Sequence, residues 1–230
     1  MKTIGLIGGM SWASTVEYYR VINEETMARL GKPHSAKSLI YSVDFAEIEA
    51  LQRAGRWEEA GRILADAAGR LEAGGADLLV LCTNTMHKIA DTITQRVNIP
   101  FIHIVDATGA ALRAAGITRV GLLATRFTME EDFYVGRLTK LHGIDVRVPD
   151  RPDRDVVHRI IYEELVFNDA RAGSKLQFLA IVHRVVEHGA QGVILGCTEI
   201  GLLLKQQDCL VPLFDTTRVH ALAAVDLALQ

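Results

Sequence analysis

Thr83 and Cys197 stand at matching places in two stretches that read as copies of one another. Gly75-Ala76-Asp77-Leu78-Leu79-Val80-Leu81-Cys82-Thr83-Asn84-Thr85 aligns with Gly189-Ala190-Gln191-Gly192-Val193-Ile194-Leu195-Gly196-Cys197-Thr198-Glu199. Each is an apolar strand running into a small polar cluster and then a helix, so each presents reactive groups at the carboxyl end of a buried strand. A thiol is able to exchange protons near neutral pH once deprotonated, whereas an unactivated hydroxyl is a very poor base. Such a pair in a duplicated chain suggests a site in the cleft between two halves, with chemistry on opposite faces of one ligand.

The elements that must hold these groups repeat with them, at a spacing of about 114 residues, too long for a solenoid. Gly5-Leu6-Ile7 and Gly121-Leu122-Leu123 are glycine-led apolar strands, each feeding a loop with a capping-box pattern, Ser14-x-x-Glu17 and Thr128-x-x-Glu131. A cap hydroxyl and a carboxylate three residues on satisfy orphan amides reciprocally, so both boxes predict helix starts. Gly31 and Gly143 are the expected terminators of those helices. Extended segments follow at 38–43 and 145–148, helices at 57–73 and 175–187, then the paired strands at 78–82 and 193–196. Ile99-Pro100-Phe101-Ile102-His103-Ile104-Val105-Asp106 matches Val211-Pro212-Leu213-Phe214-Asp215, and a helix is expected over 217–229.

Continuously apolar strands alternating with helices indicate parallel sheets covered on both faces. The expected fold is α/β, with two similar domains related by a pseudo-twofold, each a parallel sheet flanked by helices. Residues 1–106 plus 212–230 would form the first domain and 107–211 the second, the final helix crossing back to pack on the first.

Composition narrows the function classes. A net charge of −3 leaves no basic footprint for nucleic acid or an anionic membrane surface. Three cysteines, an odd number, argue against a disulfide framework and for a reducing compartment. No apolar run approaches the roughly 20 residues that span a bilayer. A soluble, cytoplasmic protein is expected.

Ligands of open α/β sheets bind beyond the carboxyl ends of the strands. Those ends carry Gly8-Gly9-Met10-Ser11, Thr83-Asn84-Thr85, Thr125-Arg126-Phe127-Thr128 and Cys197-Thr198-Glu199, small and hydroxyl-rich clusters whose helix-start amides suit a carboxylate or phosphate. The first loop lacks the G-x-G-x-x-G spacing of a dinucleotide site. His87, His103, His158, His183, His188 and His220 show no metal-ligand pairing, and most fall where a helix surface or strand would place them.

Four motifs in order, Gly-Gly-Met-Ser-Trp-x-Ser-Thr at 8–15, Asp44-Phe45-Ala46-Glu47-Ile48, Asn84-Thr85-Met86-His87 and Gly196-Cys197-Thr198-Glu199-Ile200, closely resemble the aspartate/glutamate racemase family. The resemblance covers nearly the whole chain. It implies a racemase that needs no cofactor, acts on aspartate or glutamate and commonly forms a homodimer. In that family one cysteine from each domain flanks the substrate α-carbon.

Cys197 matches the second of those cysteines, and a thiol at a helix start is expected to shift toward thiolate. Where the family's first motif has cysteine this chain has Thr83, with Cys82 one place earlier and, by strand alternation, facing the core. Thr83 is then a weaker acid for the second face, a substrate-orienting group or a helix cap. Asn84, Thr85, Thr125, Thr128 and Thr198 are the carboxylate ligands that position suggests, with Gln52 a lid contact, Met10 against the ligand or in the core, and Glu199 polarising its neighbours or favouring a helix start. Two alternatives stay open: a single-thiol decarboxylase or isomerase of the same superfamily, and a binding protein for amino acids or dicarboxylates.

Overall fold

Ile4-Gly5-Leu6-Ile7-Gly8 has no polar alternation, and a strand of that kind must be covered on both faces. The computed structural model, which describes residues 1–230, makes it strand β1 (Ile4–Gly8), buried at every position. Helix α1 (Trp12–Leu30), β2 (Ser38–Ser42), α2 (Phe45–Arg53), α3 (Trp57–Ala73), β3 (Leu78–Leu81), a 3-10 turn at Thr85–Ile89, α4 (Ala90–Thr94) and β4 (Phe101–Ile102) follow. The four strands form a parallel sheet in the order β2-β1-β3-β4, with Ile4 opposite both Ser38 and Leu78.

Alternation along the two central strands sorts the core into layers. Ile4, Leu6, Leu78, Val80 and Cys82 pack against Tyr18, Val21 and Ile22 of α1, whereas Ile7, Leu79 and Leu81 pack with Ala60, Leu64, Ala68 and Leu71 of α3. Burying each large apolar side chain contributes about 1.5–3 kcal/mol, so these two layers hold β1 and β3.

The second half repeats the plan. Helix α5 (Ile104–Ala114), β5 (Arg119–Ala124), α6 (Arg126–Glu130), α7 (Asp132–His142), β6 (Asp145–Arg147), α8 (Arg151–Glu163), α9 (Ala172–Glu187), β7 (Val193–Gly196), α10 (Ile200–Leu203), β8 (Leu213–Asp215) and α11 (Thr216–Ala228) supply a parallel sheet in the order β6-β5-β7-β8. Its central strands are buried, and α8 (Val157, Ile160, Ile161) and α9 (Phe178, Ile181, Val185) bring apolar faces to it. The two four-stranded parallel sheets match the α/β class expected from the apolar strand runs.

The chain divides into two units, Met1–Ile104 with His220–Gln230, and Val105–Val219. The sequence placed the junctions at 106/107 and 211/212. The second differs because β8 pairs in parallel with β7, Val193 opposite Leu213, which carries the second unit past residue 211. From His220 onward α11 belongs to the first unit, where Ala221, Ala224, Val225 and Ala228 complete the α1 layer of the core. The Lys2 amide donates to the Ala228 carbonyl at 2.9 Å, tying the segment before β1 to the end of α11.

Both helix caps lie three residues ahead of the expected ones. Ser11 caps α1 and Thr125 caps α6, each accepting from the backbone amide of the residue that the box pattern had taken for the cap, Ser14 or Thr128. The first helix ends at Gly31, and α7 ends at Gly143 in the left-handed conformation (φ 68°) that glycine adopts without strain. No helix is long and apolar enough to cross a membrane.

Candidate active site

Because β1 and β3 are neighbours, the loops leaving their carboxyl ends come together in the first unit. Gly9 turns the chain at φ 95°, and a Cβ there would lie 2.2 Å from the Val43 carbonyl oxygen, so only glycine lets the loop sit against the end of β2. The Gly9 amide donates to Thr15 Oγ1 at 2.8 Å, and the Ser14 hydroxyl donates to the Cys82 carbonyl at 3.4 Å, which links the first loop to the third strand's end.

Cys82 continues the α1-facing side of β3 and is wholly buried there, and that burial pushes its thiol far above the ordinary range. Thr83 is the next residue and nearly buried. Its carbonyl accepts a hydrogen bond from His87 Nδ1 at 2.7 Å, and His87 Nε2 accepts from the Ile104 amide at 3.1 Å. These partners fix one neutral tautomer, with the proton on Nδ1. Asn84 and Thr85, both buried, open the 3-10 turn.

His158 and His183 lie on helices, as the sequence suggested, but three other histidines cluster. His87, His103 and His220 gather in the first unit, with ring centroids 4.6 Å apart for His87 and His103 and 5.7 Å for His87 and His220. His220 Nε2 donates to the Ile102 carbonyl at 2.8 Å, so its Nδ1 accepts from the Tyr18 hydroxyl at 2.9 Å. Burial holds the His220 pKa down at about 4, so the ring is neutral.

Two other candidates of this unit sit inward. Met10 is in the α3 layer of the core, and Gln52, at 4% exposure, donates from Nε2 to the Met86 sulfur at 2.9 Å. Gln52 is therefore packed beneath the strand-end loops and not displayed on a solvated helix face.

In the second unit β5 and β7 are neighbours, which brings together the loop carrying Thr125 and Thr128 and the loop carrying Cys197, Thr198 and Glu199. Thr125 and Thr128 face each other at 3.2 Å between their hydroxyls, engaged in capping α6. All three residues of the Cys197 loop are buried. Cys197 Sγ donates to Glu199 Oε2 at 3.0 Å, and Thr198 Oγ1 donates to the same oxygen at 2.8 Å.

That arrangement corrects the expectation of a thiolate. Burial, then the negative charge of Glu199 and its hydrogen bond, raise the Cys197 pKa well above the ordinary thiol value. The amides of Thr198 and Glu199 pull the other way and are outweighed. The helix meant to favour the anion is a single turn, Ile200–Leu203, with Glu199 itself at its N-cap, so its positive end is offset by a carboxylate. The resting group is a neutral thiol hydrogen-bonded to a carboxylate.

Two residues carry more here than sequence assigned them. His87 fixes the Thr83 carbonyl through the i, i+4 spacing of the Thr83-x-x-x-His87 segment, a signal visible in the sequence. Glu199 is the acceptor for the thiol, which the i, i+2 spacing did not reveal.

Comparison with known proteins supplies the relationship. Residues 7–224 match the family described as Asp/Glu/Hydantoin racemase. The crystal structure of a candidate Asp/Glu racemase from Yersinia pestis is 52% identical, covers 100% of both chains and superposes with a TM-score of 0.92. That of an aspartate racemase homologue from Pyrococcus horikoshii OT3 is 36% identical over 100% of both chains, with a TM-score of 0.86. The broad specificity amino-acid racemase RacX of Bacillus subtilis (strain 168) is 24% identical over 168 residues, 73% of this chain and 72% of its own length. A family match across nearly the whole chain settles the kinship: this protein belongs to the Asp/Glu/hydantoin racemase family.

Proposed function

We propose that the protein racemises aspartate or glutamate without a cofactor, removing and returning the proton at the α-carbon. Cys197 is the principal acid–base group and Thr83 serves the opposite face. The observation that carries this reading is the buried Cys197 thiol bonded to Glu199 at the end of β7, on a chain similar to racemases. The hydroxyls of Thr85, Thr125, Thr128 and Thr198, with Asn84, are the proposed partners for substrate carboxylates, while Met10 and Gln52 back the loops from below.

The two enantiomers are equal in free energy, so weak chemistry on the Thr83 face lowers kcat/KM in both directions alike. The test is α-proton exchange in heavy water followed by NMR. The Cys197→Ala variant is expected to lose exchange with both enantiomers, and full retained exchange with both refutes the assignment.

A second reading rests on a specific feature: one thiol, not two, stands at a strand end, since Cys82 faces the core. One-sided proton delivery, as in decarboxylation of a substituted malonate, needs only that. Turnover of aryl or alkyl malonates with no exchange of aspartate or glutamate would favour it. The proposed assembly is a homodimer in a reducing cytoplasm, supported by three free cysteines and by Trp12, Val16 and Tyr19 exposed at helical spacing along α1. Sedimentation equilibrium checks the dimer.

A further inference from the structure

The Thr83 hydroxyl points where the peptides on either side of it allow. The peptide before it is held at both ends: the Cys82 carbonyl accepts from the Ser14 hydroxyl at 3.4 Å, and the Thr83 amide donates to the Leu81 carbonyl at 2.8 Å. The peptide after it begins with the Thr83 carbonyl, which accepts from His87 Nδ1 at 2.7 Å. On the other side of that ring Nε2 accepts from the Ile104 amide at 3.1 Å, just past β4. His87 is 3% exposed, and the rings of Phe101, His103 and His220 stand 4.6 to 5.7 Å from it. All of these residues belong to the first unit. From this geometry we infer that His87 is a positioning residue for Thr83: the ring, in one tautomer, holds the peptide that aims the hydroxyl, and the Ile104 amide holds the ring. The inference rests on the proposed reading in which Thr83 serves proton transfer.

A neutral imidazole donates at one nitrogen and accepts at the other. Here the main chain assigns the two roles, since a carbonyl takes only a donor and an amide only an acceptor. Exchanging the tautomer, or adding a proton to Nε2, would set an N–H against the Ile104 N–H and break the clamp. The Thr83 side chain follows, because its allowed rotamers depend on the φ and ψ that the flanking peptides define. The interval from Thr83 to His87 supplies the reach: the tight 3-10 turn that starts at Thr85 folds the ring back onto the strand end.

Two substitutions separate the ends of the clamp. His87→Asn places an amide N–H where Nδ1 stood and keeps the bond to Thr83, whereas His87→Gln reaches as far as Nε2, accepts from Ile104 and gives up Thr83. Both forfeit the ring packing, so a merely structural role would weaken both proteins and leave their turnover alike. The assay is α-proton exchange in heavy water, below both unfolding transitions. In His87→Gln kcat is expected to fall on the order of 100-fold at unchanged KM, the scale of a misplacement of about 1 Å, and in His87→Asn much less. The NMR shift of the Thr83 carbonyl carbon should move in His87→Gln and stay in His87→Asn. Equal exchange in the two variants, the reverse order, a change in KM alone, or a carbonyl shift that stays in His87→Gln overturns the inference. If either variant does not fold, nitrogen NMR of the wild-type ring decides: a proton on Nδ1 alone sustains the clamp, and a proton on Nε2 overturns it. If the wild-type protein exchanges neither aspartate nor glutamate, the racemase reading fails, and the carbonyl shifts alone decide whether His87 holds Thr83.

Discussion

Acid should loosen the first unit through one ring. In the folded protein His220 is neutral, with a pKa of about 4, because burial outweighs the opposing pull of the Ile102 carbonyl to which it donates. In the unfolded chain an ordinary histidine titrates near 6.5. The unfolded state thus takes up a proton that the folded state does not. The stability this ring contributes is complete above about pH 6.5 and is lost as pH falls from there toward 4. Linkage between those two values gives a loss of about 2 kcal/mol from pH 7 to pH 5, and about 3 kcal/mol once both states are protonated. The protein provides its own reporter, since both of its 2 tryptophans, Trp12 and Trp57, lie in the first unit. Urea titration followed by tryptophan fluorescence should show the midpoint falling by about 1 M between pH 7 and pH 5. The His220→Gln variant should start lower by about 1–3 kcal/mol for its disturbed hydrogen bonds, and the part of the pH dependence due to His220 should vanish. Equal losses of stability in the two proteins between pH 7 and pH 5 would refute the reasoning.

Three further outcomes follow from the strand ends. Thr83→Cys should raise kcat/KM on the order of 100-fold, and equally from L and D substrate, as chiral chromatography of the products would show; no gain in either direction counts against an asymmetric pair. Cys82→Ala should leave turnover unchanged and cost about 1 kcal/mol, the scale of removing one small group from a packed core, measured in the same fluorescence titration. Gly9→Ala and Gly31→Ala both force alanine into positive φ, but only at Gly9 would the new Cβ meet backbone, 2.2 Å from Val43. Gly9→Ala should therefore lose about 2 kcal/mol more than Gly31→Ala, and equal midpoints would show that the loop gives way instead.

Much of the fold is legible in the sequence because burial on two faces leaves strands no choice of composition. The strand over 193–196 and the helix over 57–73 appear at the expected residues. Caps are less legible, since several hydroxyls precede each helix and only backbone geometry selects one. Ser11 and Thr125 win over Ser14 and Thr128, and they keep the spacing that relates Thr83 to Cys197. Helix α8 has no counterpart among the sequence expectations, because its arginines and aspartates surround a narrow stripe at Val157, Ile160 and Ile161. In the site, residue types were readable and protonation was not. Cys197 looks activated when only a helix start is considered, and its resting proton becomes evident once burial and the Glu199 side chain are placed.

The return of α11 to the first unit sets an order of events during synthesis. Residues 1–104 emerge from the ribosome before residues 221–228, yet their core lacks Ala221, Ala224, Val225 and Ala228 until that segment is made. The second unit is one continuous segment, 105–219, and has all of its strands as soon as β8 is out. The nascent first unit must therefore wait with the α1-facing layer of its sheet open while the whole of the second is translated. A chain stopped before residue 220 would have every strand of the second unit, while the α1-facing layer of the first would lack the side chains that α11 supplies.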